Sequence, residues 1–384
     1  MERPIGPWAF TGVAVSSFGT LALAALFAPT TIADASASAG LTMLVGAVVF
    51  ILPIAIWLRY SRHVASSGGL FAFVEAAVGR RIALVQAAAW TVSYFLYLVY
   101  TTVQIVYDVL PAVLPGERRY QTLLALVLPV AFAAVMVAGR ASALLVIGLM
   151  AAGQLALAGV LDGLTLGHIA TPASTFGATP PAGTLAKAGA QTSLLYICGS
   201  LPLFLGGELA TPARTIRRGL LGAYAVTAVV VVLAVAPLAA QPGLTNTTLP
   251  GVTVAQQFGS QGLADVLGLG VAVSIGGLVL CEYLALGRLL HAVARWRMQT
   301  GMVAIGALIV LAAPLMLIDP EGIYGTLLKV SLVALWISQL IVFAVYPLFA
   351  RKHRHRPLPA WLLGLGASGL AGYGVWTALQ SVSS

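Results

Sequence analysis

Two carboxylates and one hydroxyl stand in stretches of the sequence that are otherwise apolar: Glu208, Glu282 and Ser274. An ionisable side chain is costly to bury in a membrane, so such a residue is a functional candidate by default. Ser274 precedes Glu282 by eight residues, which is about 12 Å along a helix. We therefore place the Ser274 hydroxyl near the middle of its helix and the Glu282 carboxylate nearer one end. Glu282 is the first candidate for a proton-coupling group.

Glu208 has a different predicted role because it lies far along the chain from Gly199, where its helix is predicted to break. It follows Gly199 by nine residues, about 13 Å along a helix, which is too far for it to bind a ligand at Gly199. We expect Glu208 to be a gating residue that pairs with a basic side chain such as Arg59, Arg62 or Arg214. A purely structural ion pair is the alternative.

The apolar stretch that leads to Glu208 is broken at Gly199-Ser200-Leu201-Pro202. Proline removes a backbone donor and crowds the carbonyl four residues earlier, and glycine adds flexibility at the same point. In lipid, unpaired backbone groups are tolerated only where they are buried in protein or line a cavity. A broken apolar helix predicts a cavity near the middle of the membrane, as in transporters. A simple proline kink is the alternative.

A second broken helix is predicted near the N-terminus, where small and hydroxylated residues cluster at positions 16–20. Residues of this kind also permit close helix packing, which is the structural alternative. Further along, tyrosines recur at helical spacing, and the deeper ones are pocket candidates, although packing or an interface belt also explains them. The predicted substrate-binding residues are Ser16, Ser17, Phe18, Gly19, Thr20, Tyr94, Tyr97, Ile197, Cys198, Gly199 and Ser200.

Two facing breaks would offer a ligand one group of each sign. The helix that resumes between Ser17 and Thr20 would present free N–H groups and a positive dipole end, which favour an anion. The helix that ends between Ile197 and Gly199 would present free carbonyls, which favour a cation. This combination matches the carboxylate and amine of an α-amino acid. Since no side-chain carboxylate lies at either break, a neutral amino acid is predicted over arginine, lysine or a polyamine.

The composition shows what kind of chain must position these residues. Of its 384 residues, 60% are hydrophobic and 8% are charged, whereas soluble domains carry about 25% charged residues. The net charge of +9 comes from basic residues at helix ends, so no nucleic-acid partner is predicted. No HExxH or GxSxG motif indicates an enzyme. The two cysteines, Cys198 and Cys281, lie in apolar segments without the spacing of a metal site, and no metal or cofactor is predicted.

The apolar runs predict eleven transmembrane spans. They cover residues 9–31, 39–58, 82–112, 121–138, 141–162, 189–211, 220–240, 262–290, 299–317, 322–348 and 359–379. If the N-terminus is cytoplasmic, most of the 20 basic residues fall on the cytoplasmic side, as the positive-inside rule requires. We therefore expect a multi-pass protein of the cytoplasmic (inner) membrane with an extracytoplasmic C-terminus.

The first ten spans divide into two halves of five at the loop 163–188. An odd number of spans makes the halves opposite in orientation, and each half opens with a broken helix, which is the layout of inverted-repeat transporters. The predicted fold is an all-α integral membrane domain over residues 1–384, with repeat one at about 9–162, repeat two at about 189–348 and an extra helix at about 359–379. A short helix around Glu75 is predicted to be re-entrant or interfacial.

Three segments resemble the amino acid–polyamine–organocation (APC) superfamily. They are SSGGLFAFVEAAVGRR before span 3, GGELATPARTIRRGL after span 6, and ALGRLLHAVARWRM at the end of span 8. The resemblance covers spans 1 to 10 and implies the five-plus-five fold of leucine-type sodium symporters, with discontinuous spans 1 and 6. It departs from the superfamily pattern at Ser16-Ser17-Phe18-Gly19, at Thr211 and at Arg217, so it adds little about the substrate.

Together these features predict a secondary active transporter that moves a small, neutral amino acid by alternating access. Span 8 has one mid-membrane hydroxyl, Ser274, where sodium-dependent relatives usually have an adjacent pair, and span 5 has Gln154 but no lysine. Proton coupling or exchange is therefore favoured over sodium coupling. The expected partners are a small-molecule substrate and the lipid bilayer, without an obligate protein partner. The alternatives are a transporter of an amine, polyamine or other organic cation, or a sensor or channel with the same fold.

Overall fold

The computed structural model describes residues 4–31, 38–114, 116–177, 180–354 and 356–383. Nine helical segments in these residues are long and apolar enough to cross a membrane, and two shorter apolar helices complete eleven spans. Their bounds are Pro7–Thr31, Ala39–Ser61, Arg80–Ala112, Gln121–Val137, Arg140–His168, Ala182–Glu208, Pro212–Ala240, Gln261–Ala294, Met298–Met316, Pro320–Lys352 and Pro357–Gln380 for spans 1 to 11, the last helix continuing to Ser383. The number of spans and the all-α class agree with the prediction from sequence.

Several spans change helix type along their length. Span 1 consists of the α-helices Pro7–Phe18 and Thr20–Ala22, a π-helix at Leu23–Phe27 and the α-helix Ala28–Thr31. Span 3 is α-helical over Arg80–Gln104, π-helical over Ile105–Val109 and 3₁₀-helical over Leu110–Ala112. Two further spans change from α to 3₁₀: span 6 has Ala182–Leu194 followed by Ile197–Glu208, and span 7 has Pro212–Val235 followed by Ala236–Ala240. Short helices in the connections are Leu70–Val78, Glu117–Tyr120, Ser174–Gly177, Pro242–Thr245 and Pro250–Phe258.

Spans 1, 6 and 8 form the centre of the bundle. In their most apolar windows 78%, 72% and 67% of the residues are buried, against 33% for span 11. Span 11 packs mainly on span 10, at the edge of the bundle. The three central spans contact one another directly, so any polar group on their facing sides is removed from lipid.

The contacts between spans of the first half and spans of the second half occur in corresponding pairs. The first part of span 1 packs against span 7, and the first part of span 6 packs against span 2. Span 3 packs against span 10, and span 8 packs against span 5. Adding five to the number of the first-half span and subtracting five from that of the second-half span converts the contact 1–7 into 6–2 and the contact 3–10 into 8–5. This is the pattern expected of a five-plus-five inverted repeat.

One end of the bundle carries most of the basic residues, and we call it the basic face. It contains the start of span 1, and basic side chains from several other spans make contacts there. Arg80 donates to the carbonyl of Val293, and Lys352 donates to the carbonyl of Ala77. The short helix Leu70–Val78 also lies at this end and has six buried residues. It is packed into the protein, consistent with the predicted re-entrant helix.

Two boundaries differ from the prediction. Span 6 begins at Ala182 and not near 189, so Lys187 is helical and does not belong to a loop. Span 5 continues to His168, which makes the connection between the halves shorter than 163–188. Both extensions contain leucine together with glycine and threonine, and tertiary packing determines their ends more than helix propensity does.

Candidate functional site

Span 1 is interrupted at Gly19, which has a left-handed backbone (φ 61°, ψ 50°). The first helix ends at Phe18, and a second begins at Thr20. A residue with a β-carbon is strained at this φ, so the geometry favours glycine. The interruption lies in the middle of Pro7–Thr31, as predicted, and confirms that span 1 is discontinuous.

Span 6 is also discontinuous, but its irregular part starts earlier than predicted. The α-helix ends at Leu194, and the backbone continues as a 3₁₀-helix from Ile197 to Glu208. The predicted end of the first half, Ile197 to Gly199, is therefore wrong by about one turn. Just before the change, Thr192 and Ser193 donate to the carbonyls of Gly189 and Ala190. Such back-bonding weakens the helical ladder.

The 3₁₀ segment is the second unusual feature of span 6. It has 12 residues, whereas such helices seldom exceed 3–4. Pro202 lies inside it and lacks the N–H group that an α-helix needs. Backbone bonds around the start of the segment join residues three apart, for example the Gly199 N–H and the Tyr196 carbonyl at 3.0 Å. The proline is therefore accommodated by a tightened helix.

The two interruptions meet through Phe18 and Gly199. A β-carbon added to Gly199 would collide with the Phe18 ring, so the aromatic ring lies directly on the span 6 backbone. Phe18 also contacts Tyr196 and Tyr224, with ring centroids 6.4 and 5.9 Å away. Phe50 completes this aromatic cluster at 5.7 Å from Tyr196. All four rings are buried, so the structure is closed at this point.

Polar side chains surround the span 6 side of this contact. Tyr94 donates to the Cys198 sulfur over 4.0 Å, and Gln339 of span 10 donates to the Ser200 hydroxyl over 3.4 Å. The Tyr196 hydroxyl and the Gln339 Oε1 atom are buried and have no hydrogen-bond partner among the described residues. Buried polar atoms normally have one. These two free atoms therefore point to a ligand or to water.

Gln339 was not identified from the sequence. The only sequence signal that could have revealed it is a polar pair, Ser338-Gln339, within an apolar span. Tyr97, which was predicted to line the pocket, is only half-buried and has its closest ring contact with Tyr100 at 4.7 Å. Its ring centroid is 6.2 Å from that of Tyr94. Tyr97 therefore packs between Tyr94 and Tyr100 on span 3.

The hydroxyls predicted at the span 1 break bond to other partners. Thr20 shares a 2.7 Å hydrogen bond with Thr227 of span 7, and Ser17 donates to the Ala14 carbonyl of its own helix. Ser16 donates to the Ile147 carbonyl of span 5. Of the predicted span 1 residues, the structure brings Phe18 to Gly199 and directs these three hydroxyls elsewhere.

A polar bridge joins spans 1, 5 and 8 on the other side of Gly19. Ser274 donates to Gln154 Oε1 at 2.8 Å, and Gln154 Nε2 donates to the Ser16 hydroxyl at 3.2 Å. The Ser274 hydroxyl also accepts from the Ala22 N–H at 3.2 Å. One of the N–H groups freed by the span 1 break is thus satisfied by Ser274, and the bridge contains no charged group.

Glu282 lies on span 8, two turns beyond Ser274. It is fully buried, and neither carboxyl oxygen has a hydrogen-bond partner among the described residues. Its carboxylate is close enough to Tyr94 and Cys198 to interact electrostatically with both. This observation extends the sequence analysis, which placed Glu282 at a different depth from the break in span 6.

Glu208 is held by two arginines that were not the predicted ones. Arg288 of span 8 donates from Nε to Oε1 at 2.5 Å and from Nη2 to Oε2 at 3.0 Å. Arg140 of span 5 donates to Oε2 at 3.1 Å. The predicted partners Arg59, Arg62 and Arg214 are wrong: Glu208 ends the 3₁₀ segment facing spans 5 and 8, while Arg59 donates to the Tyr346 hydroxyl.

The backbone around Glu208 is tied down from two further directions. The N–H of Ile5 donates to the Glu208 carbonyl at 2.9 Å, and Ile5 forms an isolated parallel bridge with Leu209. The turn before the short helix packs against the end of the 3₁₀ segment, since a β-carbon on Gly69 would lie 2.6 Å from the Phe204 ring. Gly69 itself has a positive φ of 50°.

A cavity of about 520 Å³ adjoins the Glu208 ion pairs on the basic face. Its lining combines Glu208, Arg140 and Arg288 with Ser67, His291 and apolar residues of spans 4, 8 and 9. No group of three or more His, Cys, Asp or Glu side chains in the described part of the chain is arranged to hold a metal ion.

Comparison with known proteins identifies the fold. No protein-family model matches the sequence, and no curated protein matches it. Three similar solved structures are a manganese transporter of Eremococcus coleocola with a bis-isothiourea compound (10% identity, TM-score 0.65), MhsT with L-phenylalanine (12%, 0.64) and a substrate-bound, outward-open Na⁺-coupled sialic acid symporter (12%, 0.63). The alignments cover 97%, 99% and 98% of this chain and 86%, 99% and 90% of the other chains.

At these identities the similarity shows the fold alone. The chain has the leucine-transporter-type five-plus-five fold of these structures, which confirms the predicted fold class. The APC superfamily assignment was based on sequence motifs and stays a prediction.

Proposed function

We propose that the protein is a secondary active transporter that moves a small, neutral amino acid across the membrane by alternating access. The observation that carries this proposal is the contact of two broken spans in the centre of the bundle, with the Phe18 ring on Gly199. Interrupted helices at mid-membrane are the structural signature of substrate sites in secondary transporters. The fold shared with three transporters supports the same conclusion.

The polar atoms around span 6 support an amino acid as substrate. Gln339 Oε1 and the Tyr196 hydroxyl have no hydrogen-bond partner among the described residues. The amide oxygen could accept from a substrate amine, and the hydroxyl could accept from an amine or donate to a carboxylate. The aromatic cluster around Phe18 supplies an apolar wall of adjustable size. When the Phe18 ring leaves Gly199, the exposed backbone and the two polar atoms form one pocket. One of the similar structures contains L-phenylalanine, a ligand of this chemical class.

The Glu208 cluster is the proposed inner gate. Its ion pairs join spans 5, 6 and 8 at the basic face, beside the 520 Å³ cavity. Separating Arg288 from Glu208 would connect this cavity to the underside of the Phe18 contact. By the positive-inside rule we assign the basic face to the cytoplasm. The N-terminus is then cytoplasmic, and the C-terminus lies on the outer side.

Glu282 is the proposed coupling group. Its carboxyl is fully buried without a hydrogen-bond partner among the described residues, on a span that packs against the 3₁₀ segment of span 6. Binding or releasing a proton there would therefore change the field at the site. Ser274, by contrast, uses its hydroxyl as donor to Gln154 and as acceptor from Ala22. Because the Ser274 oxygen is already engaged in both hydrogen bonds, the bridge favours proton coupling or exchange over a sodium ion bound between spans 1 and 8.

The same carboxylate supports one alternative, transport of an amine or organic cation. Glu282 could pair with a cationic substrate at Cys198, since it is the one unpartnered carboxylate near the break in the described part of the chain. A thermal-shift screen of purified protein against neutral amino acids, amines and polyamines separates the two. We expect neutral amino acids to raise the melting temperature, and stabilisation by amines alone would favour the alternative.

Counterflow in proteoliposomes tests whether the protein is a carrier. We expect saturable exchange of labelled amino acid with unlabelled amino acid inside the vesicles. Unsaturable flux accompanied by single-channel currents would identify a channel, and ligand binding without any flux would identify a sensor. A requirement for sodium with no response to a pH gradient would overturn the coupling assignment.

A further inference from the structure

A second polar cavity lies where spans 1 and 7 begin at the basic face. It has a volume of about 490 Å³, and we call it the arginine groove. Its polar lining consists of Thr11, Thr211, Arg214, Thr215 and Arg218, and the Trp8 indole also lines it. No carboxylate lines it. It is separate from the Glu208 cavity, with which it shares no lining residue.

Close packing of two helices forms the floor of the groove. A β-carbon on Gly219 would lie 2.6 Å from Phe10 Cδ1 and 3.1 Å from Thr11 Oγ1. This glycine lets span 7 approach span 1 at the level of Phe10. The larger side chains of Thr215, one turn earlier, and of Arg218, the preceding residue, line the groove beside it. The groove is therefore built by the helix packing and does not depend on a surface loop.

The two arginines of the groove are exposed and have no ion pair or hydrogen bond in the described part of the chain. Arg80, Arg140 and Arg288, which lie at the same face, all pair with carboxylates. Arg214 and Arg218 are four residues apart, so they project from the same side of span 7. A guanidinium pair of this kind is complementary to the oxygens of a phosphate.

The surroundings of the arginines change from polar to apolar along one stripe of span 7. Leu221, Ala225 and Val229 continue the helical face of Arg218, and all three are exposed. On the facing helix the Trp8 side chain is 88% exposed, as expected for an indole at the level of lipid headgroups. A ligand that fits this stripe has an anionic head and an apolar tail.

We propose that the arginine groove binds an anionic phospholipid of the leaflet that faces the basic side. Arg214 and Arg218 donate to the headgroup phosphate, and the Thr11 and Thr215 hydroxyls supply further polar contacts. The acyl chains lie along Leu221 and Val229. The lipid contacts spans 1 and 7 at once and therefore stabilises their packing at Gly219. This site is independent of the proposed transport function.

The test measures lipid binding to purified protein by native mass spectrometry and by thermal unfolding in neutral detergent. Phosphatidylglycerol is compared with phosphatidylcholine of the same acyl chains, using wild type and the double variant Arg214→Gln/Arg218→Gln. Because both arginines donate directly to the phosphate in this proposal, we expect about fivefold for each of them, so the double variant should weaken phosphatidylglycerol binding by roughly 25-fold. Phosphatidylcholine should bind weakly to both proteins.

The matched control is Arg217→Gln/Arg351→Gln, which removes the same charge from exposed positions outside the groove. It should lose at most a few-fold in affinity. An equal loss in the control would mean that only net charge matters and would overturn the site. Wild type that binds phosphatidylcholine as tightly as phosphatidylglycerol would overturn it without any variant.

Inorganic phosphate and glycerol phosphate distinguish a lipid from a small anion. Neither should stabilise the protein or displace phosphatidylglycerol at millimolar concentration. If either one does so, the groove is a small-anion site and the lipid assignment is wrong. The melting temperatures of both double variants without lipid should equal that of wild type, because the exchanged side chains are exposed.

Discussion

Two carboxylates of the central bundle, Glu208 and Glu282, have opposite surroundings. Glu208 accepts three hydrogen bonds from two arginines at the basic face. Glu282 is fully buried and accepts none from the described residues. A paired and hydrogen-bonded charge holds its neighbours in one arrangement, whereas an unpaired one costs free energy and is retained for what it binds. The comparison separates a locking region from a binding region.

The same contrast extends beyond the two carboxylates. Around Glu208, the backbone is bonded to Ile5, and the side chain is surrounded by compensating charge. Around the span 6 break, the Tyr196 hydroxyl and Gln339 Oε1 have no described partner. We therefore expect substitutions near Glu208 to affect mainly stability. Substitutions near the break should affect mainly ligand binding.

The largest effect on stability is expected from Glu208→Gln. It leaves Arg288, whose side chain is 2% exposed, without a counter-charge, and breaking a buried ion pair costs about 3–5 kcal/mol. The free energy of unfolding in detergent measures it. The control Glu75→Gln breaks the exposed pair with Arg80 and should cost less than about 1 kcal/mol. Replacing Arg288 by Met in the Glu208→Gln background should recover part of the loss. Equal losses in Glu208→Gln and Glu75→Gln would mean that the buried pair stabilises no more than an exposed one, and the region around Glu208 would then not be a locking region.

Gly199→Leu should have the next largest effect. The new side chain collides with the Phe18 ring, and overpacking typically costs about 1–3 kcal/mol. It also blocks the space that the ligand needs, so neutral amino acids should no longer raise the melting temperature. Gly222→Leu is the matched control, because a β-carbon there meets nothing within 4 Å. If Gly199→Leu responds to ligand like wild type, the site lies elsewhere.

Gln339→Leu should separate binding from stability. It removes a long hydrogen bond to Ser200 together with a buried acceptor that has no partner, so stability should change by less than about 1 kcal/mol. Ligand affinity, measured by isothermal titration, should fall by roughly tenfold. Gln86→Leu is the control, since Gln86 has the same pattern, with Nε2 bonded to Ser338 and Oε1 unpartnered. A similar loss of affinity in both variants would contradict a role for Gln339 in the site.

The smallest effect on stability is expected from Glu282→Gln, which replaces a carboxyl by an amide of the same shape. The free energy of unfolding should stay within about 1 kcal/mol of wild type. Counterflow should persist, while uptake driven by a pH gradient should disappear. Uptake that still follows the pH gradient would assign coupling to another group.

The sequence alone predicts those features of the structure that are determined by residues close together in the chain. The Gly19 interruption was predictable, because Gly19 stands in a local cluster of small and hydroxylated residues and glycine adopts a left-handed backbone without strain. The start of the span 6 irregularity was misplaced, because Pro202 dominates the pattern while Thr192 and Ser193 act through bonds to backbone carbonyls. Apolar run lengths gave the eleven spans, since the bilayer sets the length of each.

Long-range partners were beyond sequence reasoning. Glu208 and Arg288 are eighty residues apart in sequence, and nothing local distinguishes Arg288 from the other arginines of the basic face. Gln154 and the pair Ser338-Gln339 lie in long apolar helices, and helical periodicity alone does not give the rotation of each helix in the bundle. The directions of the Ser16 and Thr20 hydroxyls depend on the same unknown rotations.

The bridge between Ile5 and Leu209 has a consequence for how the protein is made. Its two residues are separated by some two hundred positions in the sequence, and synthesis proceeds at about 5–20 residues per second. If the basic face is cytoplasmic, as proposed, Ile5 waits there for roughly 10–40 s before its partner has been synthesised. Throughout that interval spans 1 to 5 are inserted without this backbone tie. An N-terminal fusion large enough to keep Ile5 from returning to span 6 would leave a fully inserted protein in which the last step of assembly has not occurred.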